Sequence, residues 1–116
     1  MPIVNNTEVA IVDIKIFNED NFNIDIQFPT AFPDGTEVLM QARDVNNALV
    51  LSQSSTLNTI QWNLDRTKIM LRGLCDVAKE GKFTYDIKFK YPAPNTRYET
   101  RVTGKLEVLK NSTTYQ

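Results

Sequence analysis

The sequence predicts an all-β fold, an antiparallel β-sandwich of about 7–8 strands. Two observations predict it. The run Gly81-Lys82-Phe83-Thr84-Tyr85-Asp86-Ile87-Lys88-Phe89-Lys90-Tyr91 is apolar or aromatic at every odd position after the glycine and polar or charged at every even one. Side chains on a strand alternate between faces, so this run has one dry face and one wet face, as the central strand of a one-sided sheet does. Shorter apolar segments then recur along the chain, separated by turn signals.

Each element follows from its residues. Positions 1–8 are mostly polar and read as an arm. Residues 9–17 are rich in β-branched side chains and predict a strand. Asn18-Glu19-Asp20-Asn21 is a polar turn, and Phe22-Asn23-Ile24-Asp25-Ile26-Gln27-Phe28 alternates strictly, so the two strands are expected to pair as a hairpin. Pro29 and Pro33-Asp34-Gly35 interrupt the pattern with a loop and a tight turn. Residues 36–43 form the next strand, with Val38, Met40 and Ala42 on one face. Asp44-Val45-Asn46-Asn47 turns the chain, since asparagine tolerates left-handed backbone angles.

Residues 48–53 are a strand and 54–56 a loop. Residues 59–64 carry Ile60, Trp62 and Leu64 on one face, and 68–72 carry Ile69 and Leu71 inward. Residues 74–79 lack alternation and predict one short helical turn, with Gly81 as its terminator at a positive φ. After the long strand, Pro92-Ala93-Pro94-Asn95 turns the chain into a last strand at about 96–109, in which Gly104 marks a bulge. Residues 110–116 are a polar C-terminal tail. The domain is therefore 9–109, and the hairpin-paired strands favour two packed sheets of the immunoglobulin-like type. Shared parity assigns Ile24, Ile26, Met40, Ile60, Trp62, Ile69, Leu71, Phe83, Tyr85, Ile87 and Phe89 to the core.

Bulk composition narrows function mainly by exclusion. A chain of 116 residues is one domain, large enough for a core without metals or disulfides. A net charge of −1 argues against a nucleic-acid partner, and no apolar run is long enough to cross a bilayer, so no membrane partner is expected either. The N-terminus lacks a basic region followed by an apolar stretch, which points to folding in a cytoplasm. The single cysteine, Cys75, agrees with a reducing compartment. There is no histidine, which removes the commonest general base and metal ligand. No enzyme activity, catalytic residue, cofactor or metal is expected.

Each candidate site has a plainer role beside it. Asp13, Glu19, Asp20 and Asp25 carry oxygen ligands of the kind Ca²⁺ takes, but without EF-hand spacing they read as solvated acidic residues. Lys82, Lys88, Lys90, Arg97 and Arg101 share a wet face that resembles a single-strand groove in charge, yet the interspersed Asp86 and Glu99 make it a mixed, solubilising surface. Trp62 reads as core by periodicity, leaving Tyr98 and Tyr115 as the glycan-stacking candidates. Cys75 has no base to activate it and reads as a small buried residue. In Val9-Ala10-Ile11-Val12 and Ala48-Leu49-Val50-Leu51 both parities are apolar, so Val9, Ile11, Leu49 and Leu51 are interface candidates.

The segment 34–109 resembles a known family. A strand ending in arginine after a glycine turn, Val38-Leu39-Met40-Gln41-Ala42-Arg43, is followed by the apolar strand Ala48-Leu49-Val50-Leu51 and a Ser/Thr loop at 52–56. Then come a strand pair and the signature Gly81-Lys82-Phe83-Thr84-Tyr85-Asp86-Ile87, and the late-glycine strand Thr103-Gly104-Lys105-Leu106-Glu107-Val108 closes the domain. This pattern is similar to the immunoglobulin-like β-sandwich at the N-terminus of tailed-phage baseplate and fibre proteins, the baseplate-upper-protein N-terminal-like type. The resemblance implies a non-enzymatic virion structural protein, assembled in the host cytoplasm, that anchors, decorates or joins head, tail, baseplate or fibre components. Its implied partners are other virion proteins and itself, as a homo-oligomer with a trimer among the options. The alternative is a carbohydrate-binding adhesin module that contacts a host surface.

Overall fold

The computed structural model describes residues 9–113. Nine strands form two packed sheets: β1 Ala10–Ile11, β2 Ile14–Phe17, β3 Ile24–Gln27, β4 Glu37–Arg43, β5 Leu49–Ser54, β6 Ile60–Trp62, β7 Lys68–Leu71, β8 Gly81–Lys90 and β9 Tyr98–Leu109. The larger sheet has six strands in the order β1-β9-β8-β4-β5, with β2 also on β9; the smaller has the order β3-β7-β6. The fold is an immunoglobulin-like β-sandwich, as expected. Among the described residues no helix is long and apolar enough to cross a membrane.

Alternation places the core where parity predicts. Phe83, Tyr85, Ile87 and Phe89 of β8 are buried with Val38, Met40 and Ala42 of β4 and with Ile26, Ile60, Ile69 and Leu71 of the smaller sheet. Ile24 and Trp62 are half-buried and pack against this core, because both belong to edge strands. An aromatic group closes one end: Phe89 stacks on Phe32 at 4.6 Å and meets Phe28 edge-on at 5.4 Å.

Five expectations are corrected. Residues 9–17 and 22–28 do not form a hairpin. The first segment breaks into β1 and β2, both of which run parallel to β9, while β3 pairs antiparallel with β7 in the other sheet. The polar turn between them instead fastens to a distant segment: Asn18, buried, donates through Nδ2 to the Val77 carbonyl at 3.0 Å and accepts from the Val77 N–H at 3.0 Å.

Residues 74–79 are not helical. They extend across the end of the sandwich, where Glu19 N–H donates to Cys75 O and Cys75 N–H donates to Asp20 O. Backbone pairing with residues 18–21 replaces the intrahelical bonds a turn of helix would need. Gly81 therefore terminates no helix; it opens β8 with a φ of 157°.

Gly104 is not the bulge. The β8–β9 register shifts between Ile87 and Lys88, whose partners are Val102 and Thr100, so the extra residue is Arg101. Lastly, β6 stops at Trp62, and Leu64 is 98% exposed at the tip of the β6–β7 turn. The Asn63 carboxamide builds that turn by accepting from the N–H groups of Thr67 and Lys68.

Candidate interaction surface

A concavity of about 910 Å³ lies on the outer face of the six-stranded sheet. Strand register builds its floor. Lys15 of β2, Glu107 of β9 and Lys82 of β8 are aligned across three strands, and beside them Lys105 of β9, Thr84 of β8 and Arg43 of β4 form a second row. These side chains stand on the wet face because their neighbours Phe83 and Leu106 point into the core.

The β4–β5 turn makes the wall. Asp44 Oδ1 accepts from the N–H groups of Asn46 and Ala48, both at 2.9 Å, and Asn47 takes a left-handed φ of 65°. Arg43 Nη1 donates to the Asn47 carbonyl at 3.1 Å. This self-bonded turn holds Val45 at the rim with 94% of its surface exposed.

Charge in the groove is unevenly satisfied. Glu107 is engaged by Lys15 at 3.7 Å, Asp13 accepts from the Lys105 backbone N–H at 3.0 Å, and Asp44 is used by its own turn. The side chains of Lys82, Lys105 and Arg43 have no carboxylate in ion-pair distance among the described residues. The groove therefore keeps the ammonium groups of Lys82 and Lys105 without a carboxylate partner, while the Arg43 guanidinium, also without one, is held by the Asn47 carbonyl and by Gln41 Oε1 at 3.2 Å.

A second cluster lies at the opposite end of β8. The bulge at Arg101 turns its guanidinium over the rings of Phe32 and Phe28, at 5.4 and 5.7 Å. Glu99 takes Arg101 at 3.5 Å, Arg97 at 3.6 Å and the Tyr91 hydroxyl at 2.8 Å, and Arg97 lies 3.9 Å over the Tyr91 ring. Burial, then the Glu99 carboxylate, raises the Tyr91 phenol. These groups brace the aromatic end of the core.

The residues singled out from sequence are not brought together. Ile11 is 76% exposed on the β1 edge with Val9 beside it, Leu49 is exposed on the far edge strand β5, and Leu51 is in the core at 8%. Tyr98 is exposed and lines a recess of about 250 Å³ with Leu39, Lys88 and Lys90. Tyr115 lies outside the described residues. Lys82, Lys88 and Lys90 share the outer face as expected, but the bulge takes Arg101 off it.

Asp25 is removed from any acidic site by Arg72 at 2.6 Å and Lys68 at 3.7 Å, and the Arg72 hydrogen bond holds its carboxyl below the usual range. Among the described residues no cluster of three or more His, Cys, Asp or Glu could hold a metal ion. Cys75 is buried, and burial, with Asp76 and Asp20 nearby, pushes its thiol up to about 11, the wrong direction for a nucleophile. What sequence reasoning missed is the groove itself. Lys82 and Thr84 were legible as outward-facing, but nothing local placed Lys15 or Arg43 beside them.

No protein-family model and no curated protein matches the chain. Among solved structures it is similar to CopC from Methylosinus trichosporium OB3b, with a TM-score of 0.51 and 8% identity over 88% of this chain and 89% of that one. The likeness is one of fold. The function expected from the resemblance is corrected: this similar structure is CopC, not a phage structural protein, and neither the virion role nor its adhesin alternative gains support.

Proposed function

We propose that the domain is a non-enzymatic interaction module that receives an acidic segment of a partner protein in the groove on its six-stranded sheet. The observation that carries this reading is the charge state of the groove: its carboxylates are engaged internally, whereas Lys82, Lys105 and Arg43 face outward without an ion-pair partner among the described residues. The volume suits a short stretch of side chains, and Val45 adds an apolar contact at the rim. The carboxylates that line the same groove argue against a nucleic-acid backbone, which wants a run of one sign. A chain with no histidine and with its single thiol buried has few means of general acid–base or nucleophilic chemistry.

The test is an NMR titration of isotope-labelled protein with three short peptides, alternating Glu/Val, Lys/Val and Ser/Val. The Glu/Val peptide is expected to shift the amides of 82–84, 105–107 and 44–47, and the Lys82→Glu/Lys105→Glu variant is expected to lose the effect. Shifts with none of the peptides at millimolar concentration, or equal shifts with all three, would count against the proposal.

A further inference from the structure

We infer that the occupant of the groove is a second copy of this chain, docked across a two-fold axis by its own acidic corner. The inference rests on the groove reading and adds the identity of the partner. The corner consists of Glu19, Asp20, Asp76 and Glu80, all exposed, with Lys79 and Lys110 as the cations beside them. It is held in one shape before any partner arrives. Asn18 ties it to Val77 by two hydrogen bonds and to Glu80 Oε2 at 2.8 Å, Glu19 N–H bonds Cys75 O at 2.7 Å, and Asn111 reaches Asp20 Oδ1 at 3.3 Å. A corner already ordered loses little freedom on docking.

Placement selects the two-fold. The groove and the corner are at the same end of the molecule, because Lys15 lines the groove and β2 ends at Phe17, just before Glu19. Lys15 is two residues before the end of β2, and Glu19 sits in the turn that follows, with a left-handed φ of 73°. A basic surface and an acidic surface at the same end satisfy each other twice when two copies meet about a two-fold, since residue i of one contacts j of the other and the reverse. Between them Phe17 is exposed on the same face as Lys15, which gives the contact an apolar centre with charged flanks.

Light scattering over a concentration series, at two salt levels, tests the inference. The expected result is a dimer whose dissociation constant rises at least about ten-fold between about 50 and about 500 mM NaCl. Lys82→Glu/Lys105→Glu and Glu19→Lys/Asp20→Lys should each be monomeric, with melting curves showing both folded, and a one-to-one mixture of the two variants should recover a dimer. A wild-type dimer that survives both reversals would overturn the inference. So would a wild-type monomer whose groove still binds the Glu/Val peptide, which would leave the groove reading standing. A monomer that binds no peptide would remove both.

Discussion

The carbonyl oxygen of Val12 occupies the space that a side chain at Gly104 would fill: a Cβ there would be 2.0 Å from that oxygen. The N-terminal segment runs beside β9 at this point, in the break between β1 and β2. Val12 N–H donates to Thr103 O at 2.9 Å, the Tyr85 hydroxyl donates to Val12 O, and Asp13 Oδ1 accepts from Lys105 N–H. The glycine is required by close backbone approach, not by an unusual φ.

Gly104→Ala should therefore cost on the order of 1–3 kcal/mol, because backbone, not a flexible side-chain end, stands in the way. Tyr85→Phe, which removes one hydrogen bond and keeps the ring, should cost about 1 kcal/mol. Urea unfolding of the two variants gives the comparison. A Gly104→Ala protein as stable as wild type would mean that the close approach of residues 12 and 13 to β9 is wrong.

Phe89 is fully buried, stacked on Phe32 and edge-on to Phe28. Its replacement by alanine should cost about 3–5 kcal/mol, enough to unfold a domain of ordinary stability. A loss below about 1 kcal/mol in chemical denaturation would contradict the face assignment of β8.

Two residues that look alike in sequence should behave in opposite ways. Leu51→Lys puts a charge into the core and should cost at least about 3 kcal/mol. Ile11→Lys lies on an exposed edge and should stay within about 0.5 kcal/mol of wild type. Thermal melts at matched concentration separate them, and equal losses would place β5 or β1 differently.

Alkaline pH should destabilise the fold in two stages. Burial raises the Cys75 thiol from 9.0 to about 11, and burial together with Asp13 raises the Tyr85 phenol from 10.0 to about 12. Both groups are neutral when protonated, so the unfolded chain releases these protons at lower pH than the folded one. Their contribution is complete below about 9, and it is lost as pH climbs through 9–11 for the thiol and 10–12 for the phenol. Urea midpoints measured from pH 8 upward (about three values suffice) should fall in wild type. The fall should begin at higher pH in Cys75→Ala and be shallower above about 10 in Tyr85→Phe, where the raised Tyr91 phenol still titrates. Identical pH profiles in all three proteins would exclude both groups as the cause.

What was legible in the sequence was what alternation encodes locally. Phe83, Tyr85, Ile87 and Phe89 face inward because nothing interrupts the pleat of β8, and Asn47 adopts the left-handed angle its turn required. What was not legible depends on partners far along the chain. Residues 9–17 have the composition of a hairpin strand, but their hydrogen-bonding partners are residues 102–109, and no local signal distinguishes a parallel neighbour from an antiparallel one. Asn18 reads as a turn residue until Val77 is beside it. Arg101 reads as a surface arginine because parity counting cannot see one extra residue that inverts it. The groove inherits this blindness: two of its four cations, Lys15 and Arg43, reach it only through long-range register.

β9 pairs with β8 along one side and with both β1 and β2 along the other, so the last strand of the chain is an interior strand of its sheet. During synthesis, β1 and β2 have nothing to pair with until residues 102–109 have left the ribosome. Until then the N-terminal segment, Val9 to Phe17, lacks the strand it packs beside. The domain cannot close in the order in which it is made: its first strands are among the last to find their places.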